Sequence, residues 1–164
     1  MSLELTIRNR QRTRAIDTRL LREITVELLR ELLELDEVEL GVALVGAKEM
    51  ARVNWQFLQH EGSTDVITFD HSEEQLSRKQ QKGLRRTICG ELYVCVDDAV
   101  AQARSFRTTW QAEVVRYVVH GVLHLCGHDD HRTTARRIMK REENRLVRRL
   151  GKRFLLRSLA RTAK

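Results

Sequence analysis

The stretch from Trp110 to Cys126 constrains the fold more than any other part of the chain. Val114, Val115, Val118, Val119, Val122, Leu123 and Leu125 wrap it in apolar side chains, so the helix they form is buried on most sides. Yet Glu113, Tyr117, His120 and His124 recur at i, i+4, i+7 and i+11, which is a polar stripe along one helical face. A buried polar group without a partner costs on the order of 1–3 kcal/mol, so this stripe must meet something. His120 and His124, one turn apart, can meet that demand together by holding one metal ion.

The segment Gly127-His128-Asp129-Asp130-His131 breaks the helix, and Gly127 suits a left-handed cap that turns the chain back. Asp130 and His131 follow His120 by ten and eleven residues, and either can close a three-ligand set with an open fourth position. Two histidines with a carboxylate and three histidines are both hydrolytic zinc sets, so residue chemistry leaves the choice open. The Glu that serves metalloproteases as general base in H-E-x-x-H is absent, and Gly121 stands in its place. A mid-helix glycine costs roughly 1 kcal/mol against alanine, which points to a strand or a substrate chain lying close to the backbone there.

The other elements follow from periodicity. Leu3, Leu5 and Ile7 alternate as a half-exposed strand. Ile16, Leu20, Ile24, Leu28 and Leu32 space a helix over 15–35. Val38–Val45 alternates as a strand, 47–59 is helical, and Val66–Phe69 and Thr87–Val96 are β-rich runs able to pair as a hairpin. Residues 70–84 are expected as an exposed loop, and Asp97 or Asp98 as the cap of a helix through Ser105. A basic amphipathic helix with Met139, Leu146, Leu150 and Phe154 on its apolar side comes last. This order predicts an α+β fold around a small sheet, with no strand order legible.

With 164 residues, 41% of them hydrophobic and 32% charged, the chain reads as one globular domain. No apolar run approaches the roughly 18 residues of a membrane span, and MSLELTIRNRQR has no secretory apolar core. The odd cysteines Cys89, Cys95 and Cys126 argue against a disulfide framework and for a reducing, cytoplasmic setting. The charge is divided: residues 1–131 carry 17 Lys and Arg against 21 Asp and Glu, whereas 132–164 carry 13 against Glu142 and Glu143. A segment so basic attracts phosphate-rich partners through counterion release, unless it is merely a solvated helix face.

The motif His120-Gly121-x-Leu123-His124-Leu125-x-Gly127-His128-Asp129-Asp130 resembles the signature of the YbeY family of metal-dependent endoribonucleases. Asn54, ten residues before Thr64-Asp65-Val66-Ile67-Thr68-Phe69, and Gly90-Glu91-Leu92-Tyr93-Val94 are similar to further family motifs, and Glu113 also fits. The likeness covers roughly residues 38–131. It implies a small mixed β-sheet packed with helices, a zincin-like metal helix in the core, and a YbeY-like domain over 1–164 whose residues 132–164 form a basic helical extension.

The same resemblance implies one Zn2+ per chain on His120, His124 and Asp130, with His131 as the alternative third ligand. The family usually has His at the position that Asp130 occupies. It also has an Arg four residues after the Asn, where this chain has Leu58, with His60 nearby. The catalytic candidates are therefore His60, Asp65 and Asp129. Arg137, Arg141, Arg145, Arg148 and Arg149 are expected to face out beside the metal cleft and bind RNA. The expected activity is single-strand-specific cleavage in maturation of the small-subunit ribosomal RNA 3′ end and in ribosome quality control. The implied partners are single-stranded and ribosomal RNA, the small ribosomal subunit with its proteins, and an Era-type GTPase, with no membrane. Two other readings stand beside it: a non-catalytic assembly factor with a structural metal, and a metalloprotease, against which Gly121 and the basic terminus both weigh.

Overall fold

A computed structural model describes residues 1–72 and 86–161. Strand β1 spans Ser2–Asn9, helix α1 Thr18–Glu27, β2 Glu37–Val45, α2 Ala47–Val53, β3 Val66–Asp70 and β4 Thr87–Cys95. Helices α3 (Val96–Phe106), α4 (Trp110–Leu125) and α5 (Thr133–Arg153) follow, then a 3-10 turn at Leu156–Leu159. The fold is α+β. Its sheet is mixed, in the order β1-β2-β4-β3, with β1, β2 and β4 parallel and β3 antiparallel to β4. The expected hairpin of β3 and β4 is present. The expected loop beyond Asp70 lies, apart from His71 and Ser72, outside the described residues.

Alternation decides which face of the sheet is covered. Val38, Leu40, Val42 and Leu44 of β2 and Ile88, Leu92 and Val94 of β4 are buried under the helices, in one core with Leu21, Ile24, Val118, Val122 and Leu146. The opposite positions Glu39, Gly41, Cys89, Glu91 and Tyr93 face a shallow groove on the outer side. Around the far end of that face, Met50 and Val53 of α2 pack with Val45, Ile67 and Cys95.

Three expectations are corrected. The helix predicted over 15–35 begins at Thr18, where the Asp17 carboxylate accepts from the Leu20 N–H, and it leaves α geometry at Leu28 for a π turn to Leu32. Ile16 instead forms an antiparallel bridge with Ala160. The helix over 47–59 likewise becomes a π turn at Asn54–Leu58 and stops at Gln59, which has φ 55°. Neither Asp97 nor Asp98 is the N-cap of α3. Cys95 holds the cap position of α3, while Asp97 accepts from the Thr13 hydroxyl and from the Ala47 N–H, and Asp98 accepts from the Ser63 hydroxyl. Acidic side chains early in a helix are favourable there, and these two also tie down neighbouring segments.

What packs against Gly121 is strand β4. A Cβ at Gly121 would lie 2.6 Å from Leu92 Cδ2, and one at Gly90 would strike the Phe69 carbonyl oxygen and Leu125. Each element thus receives a leucine from the other at its own glycine. The consequence is measurable by thermal unfolding. Gly90→Ala should lower Tm by roughly 5–10 °C, because a backbone carbonyl cannot step aside, and Gly121→Ala by less, because Leu92 can rotate.

Candidate metal centre

Helix α4 is capped by Thr109, whose hydroxyl accepts from the Ala112 N–H, and it ends in a left-handed turn. Gly127 takes φ +103°, its N–H donates to His124 O, and the His128 N–H donates to Leu123 O. This is the paired bond pattern of a Schellman cap. It folds the chain back so that Asp130 lies over the histidine pair, and the Arg136 Nε–H donates to the Asp130 carbonyl at 3.1 Å.

The two imidazoles meet edge to face, with centroids 4.7 Å apart and Nε2 atoms 3.1 Å apart. Asp130 Oδ2 is 3.4 Å from His124 Nε2 and 3.9 Å from His120 Nε2. Partners on the far side of each ring set its tautomer. His124 Nδ1 is 3.1 Å from the His128 carbonyl, and His120 Nδ1 is 2.7 Å from Glu143 Oε1. Both partners can only accept, so both Nδ1 atoms carry protons and donate, and both Nε2 lone pairs converge with the Asp130 carboxylate. Three acceptors so close repel one another unless a proton or a cation sits among them. Burial alone would lower the His120 pKa, but the hydrogen bond and charge of Glu143, with Asp65 and Asp130 nearby, raise it. That is the same demand for positive charge. Nitrogen and oxygen donors at these separations suit a small divalent cation bound at 2.0–2.2 Å.

Glu143 is the residue that sequence reasoning missed. Its side chain is 4% exposed and also accepts from Arg116 Nη1 at 2.6 Å and Lys140 Nζ at 2.9 Å. Burial opposes its ionisation, yet the hydrogen bonds from His120, Lys140 and Arg116 hold its pKa down to about 2. A signal was present: Glu142 and Glu143 are the two acidic residues in 132–164, and Glu143 falls in the buried register of Met139, Leu146 and Leu150.

Two clefts flank the histidines and share Asp65, His120 and Asp130. One, of about 550 Å³, runs along β3 and includes Asn54, Leu58, His60 and His131. The other, of about 560 Å³, lies between α3, α4 and α5. Asp65 is half-buried, and its Oδ1 accepts from the Val66 N–H at 2.8 Å. His60 sits exposed on the rim of the first cleft. His131 is 91% exposed, and its ring is 4.0 Å from Asp129. Asp129 lines neither cleft, and its carboxylate accepts from the His131 N–H.

The five arginines expected to face outward and bind RNA all lie on α5. At 3.6 residues per turn, Arg137, Arg141 and Arg148 lie on the side of α5 opposite Met139, Leu146 and Leu150. Arg145 is paired with Glu142, and none of the five lines either cleft. The basic side chains that do are Arg116, Arg136 and Lys140, all in the cleft beside α5. Among the described residues the cleft along β3 is lined by no Lys or Arg, and Leu58, 45% exposed, stands on its wall.

A helix carrying paired histidines over a small mixed sheet, with a carboxylate folded onto them, defines a class of metallohydrolase-like folds. The profile of the family described as Endoribonuclease YbeY matches residues 6–151, and the chain belongs to that family. A relative from Chlorobium luteolum, named Endoribonuclease YbeY, is 30% identical over 90% of this chain and 98% of its own length. One of the same name from Parabacteroides distasonis is 37% identical over 61% of this chain, which spans 63% of that relative. The solution structure of TM1509 from Thermotoga maritima covers 92% of this chain and 91% of its own, with a TM-score of 0.63 at 24% identity, and shows the shared fold. The chain is accordingly an enzyme of the nuclease class of hydrolases. Among the described residues no helix is long and apolar enough to cross a membrane.

The Glu143 carboxylate links stability to pH. Its pKa is depressed from the usual 4.5 to about 2 on folding. The stabilisation is therefore fully present above about pH 4.5 and is lost as pH falls through about 2. Glu143→Gln should cost about 3 kcal/mol at pH 7 and progressively less below pH 4, as read from urea midpoints at several pH values.

Proposed function

We infer that the protein is a zinc-dependent, single-strand-specific endoribonuclease acting in ribosomal RNA maturation near the small-subunit 3′ end and in ribosome quality control. We read residues 1–164 as one cytoplasmic domain whose basic C-terminal helix belongs to that work. The observation that carries this reading is the convergence of His120 Nε2, His124 Nε2 and Asp130 Oδ2, with both imidazoles tautomerically locked from behind. On this reading those three residues hold the metal, and His131, whose ring is almost wholly exposed, is the weaker alternative. When bound, the ion supplies Lewis acidity toward a phosphoryl oxygen. On the same reading Asp65 accepts a proton from the attacking hydroxyl, a role supported by its position on the wall of both clefts. On that reading His60, which lines the cleft along β3, donates one to the leaving oxygen, and Asp129, which accepts from the His131 N–H, shapes the turn that presents Asp130. The small ribosomal subunit and an Era-type GTPase are the partners this role implies.

Leu58 favours one second reading. Where the family resemblance expects an arginine, an apolar side chain lines the cleft, which suits an RNA-binding assembly factor whose metal is structural. Nuclease-free protein incubated with labelled single-stranded RNA and with casein, with and without chelator, separates these readings. Chelator-sensitive RNA cleavage supports the nuclease. RNA binding without cleavage supports the assembly factor, and casein cleavage a protease.

Metal analysis of the purified protein should give about one zinc per chain, and His120→Ala with His124→Ala should abolish it. Asp130→Ala should reduce metal affinity more than His131→Ala, and the reverse order would move the ligand role to His131. Replacing Arg137, Arg141, Arg148 and Arg149 by Gln should flatten the log–log salt dependence of RNA binding by about 2–3, since each single-strand phosphate contact contributes roughly 0.7. An unchanged slope would make that face of α5 a solvated surface.

A further inference from the structure

The cleft between α3, α4 and α5 is built for more than access to the histidines. Phe106, the last residue of α3, stands 69% exposed at its mouth. Met139 of α5 gives it an apolar wall. Its floor is polar: the Tyr117 side chain is buried, and its hydroxyl has no hydrogen-bond partner among the described residues. Beside it lies the buried Glu113, one of whose carboxylate oxygens accepts from the Thr108 hydroxyl at 2.8 Å. Arg136 stands exposed on the rim.

An orphaned buried hydroxyl is costly, and a ligand acceptor would recover that cost. A phenol donates and a carboxylate accepts, so the floor asks for a flat group with an acceptor next to an N–H along one edge. An exposed phenyl ring beside such a floor suits a π-face laid against it. A nucleobase has all of these features. Asp65, His120 and Asp130 border this cleft as well as the one along β3, so a base lodged here sits next to a phosphate at the histidines.

We propose that this cleft is a nucleobase pocket, in which Phe106 stacks on the base flanking the scissile phosphate and Tyr117 and Glu113 read its edge. The inference rests on the endoribonuclease reading and adds to it a contact by which single-stranded RNA is told from duplex. A paired base must first be unpaired and unstacked to enter the pocket, a cost that an unpaired base does not bear. With one cleft on each side of the histidines, the strand continues past the site in both directions, as cleavage of an internal bond requires.

The test compares binding of a labelled 12-nucleotide single-stranded RNA with that of an abasic ribose–phosphate chain of equal length. It is read by fluorescence anisotropy on samples whose probe stays intact on a gel. The wild-type protein should prefer the base-bearing chain by roughly tenfold or more. Phe106→Ala should remove most of that preference, and Phe106→Trp should restore it. Tyr117→Phe, which keeps the ring and removes the hydroxyl, should weaken the base-bearing chain severalfold and leave the abasic one unchanged. All three variants should keep the wild-type salt dependence and metal content. Retention of the full preference by Phe106→Ala overturns the pocket. Equal binding of both chains by the wild type also overturns it while leaving a phosphate grip intact. Failure to bind either chain removes the RNA reading itself, and the pocket with it.

Discussion

The close approach of α4 to β4 is the constraint from which the rest of the structure follows. Leu92 fills the space left by Gly121, and Leu125 fills that left by Gly90, so helix and strand interlock at two points. The spacing matches, since four residues of helix rise about 6 Å and two of strand about 6.6 Å. Run in opposite directions, the two elements therefore stay in register over both contacts. The residue before Gly121 is His120, and the residue before Leu125 is His124. Fixing the two leucine–glycine contacts fixes the roll of α4, and with it the direction of both imidazoles toward the end of the sheet where Asp65 precedes β3. An alanine helix at ordinary packing distance would leave the histidines farther from that edge.

The second requirement is electrostatic. Lone pairs from two imidazoles and a carboxylate are brought together while protons are held on the opposite ring nitrogens by Glu143 and by the His128 carbonyl. A carboxylate buried as deeply as Glu143 is stable only when its lone pairs are used, and Arg116 and Lys140 use the remainder. The C-terminal helix thus reaches the site through its one buried anion. Its apolar residues Met139, Leu146 and Leu150 join the main core, so this strongly basic helix also carries the group that orients His120.

How much of this could be read beforehand depended on how local the determinant was. The α4 helix, its paired histidines, the turn at Gly127 and the close neighbour at Gly121 were all legible, because each depends on residues within a few positions of one another. The strands were legible by alternation, but their order was not, since parallel pairing of β2 with β4 joins residues about 50 apart. The π turns at Leu28 and Asn54 carry no periodic signature, so both helices were expected to run on unchanged. Asp97 looked like a cap because caps are local. Its actual work, holding Thr13 and the start of α2, is set by tertiary proximity. Glu143 hid for the same reason, 23 residues from the histidine it orients.

The charge map gives the clefts unequal parts. Arg116 and Lys140 belong to the cleft beside α5, but both are engaged by Glu143, while Arg136 on the rim donates to the Asp130 carbonyl. The cleft along β3 has Leu58 where the family resemblance expects an arginine. The cations lining the site are therefore few, while the outward side of α5 holds Arg137, Arg141 and Arg148 on a surface away from both clefts. Charges so placed act through their field at distances near the Debye length, about 8–10 Å at physiological salt. On the nuclease reading they would raise the local concentration of a polyanion and add to the salt dependence of its binding. On the nuclease reading, arrival and positioning are then separate tasks. Arrival belongs to the back of the C-terminal helix and weakens with salt. Positioning belongs to the cleft walls and the histidine–carboxylate cluster, where contacts are short, partly buried and little affected by screening.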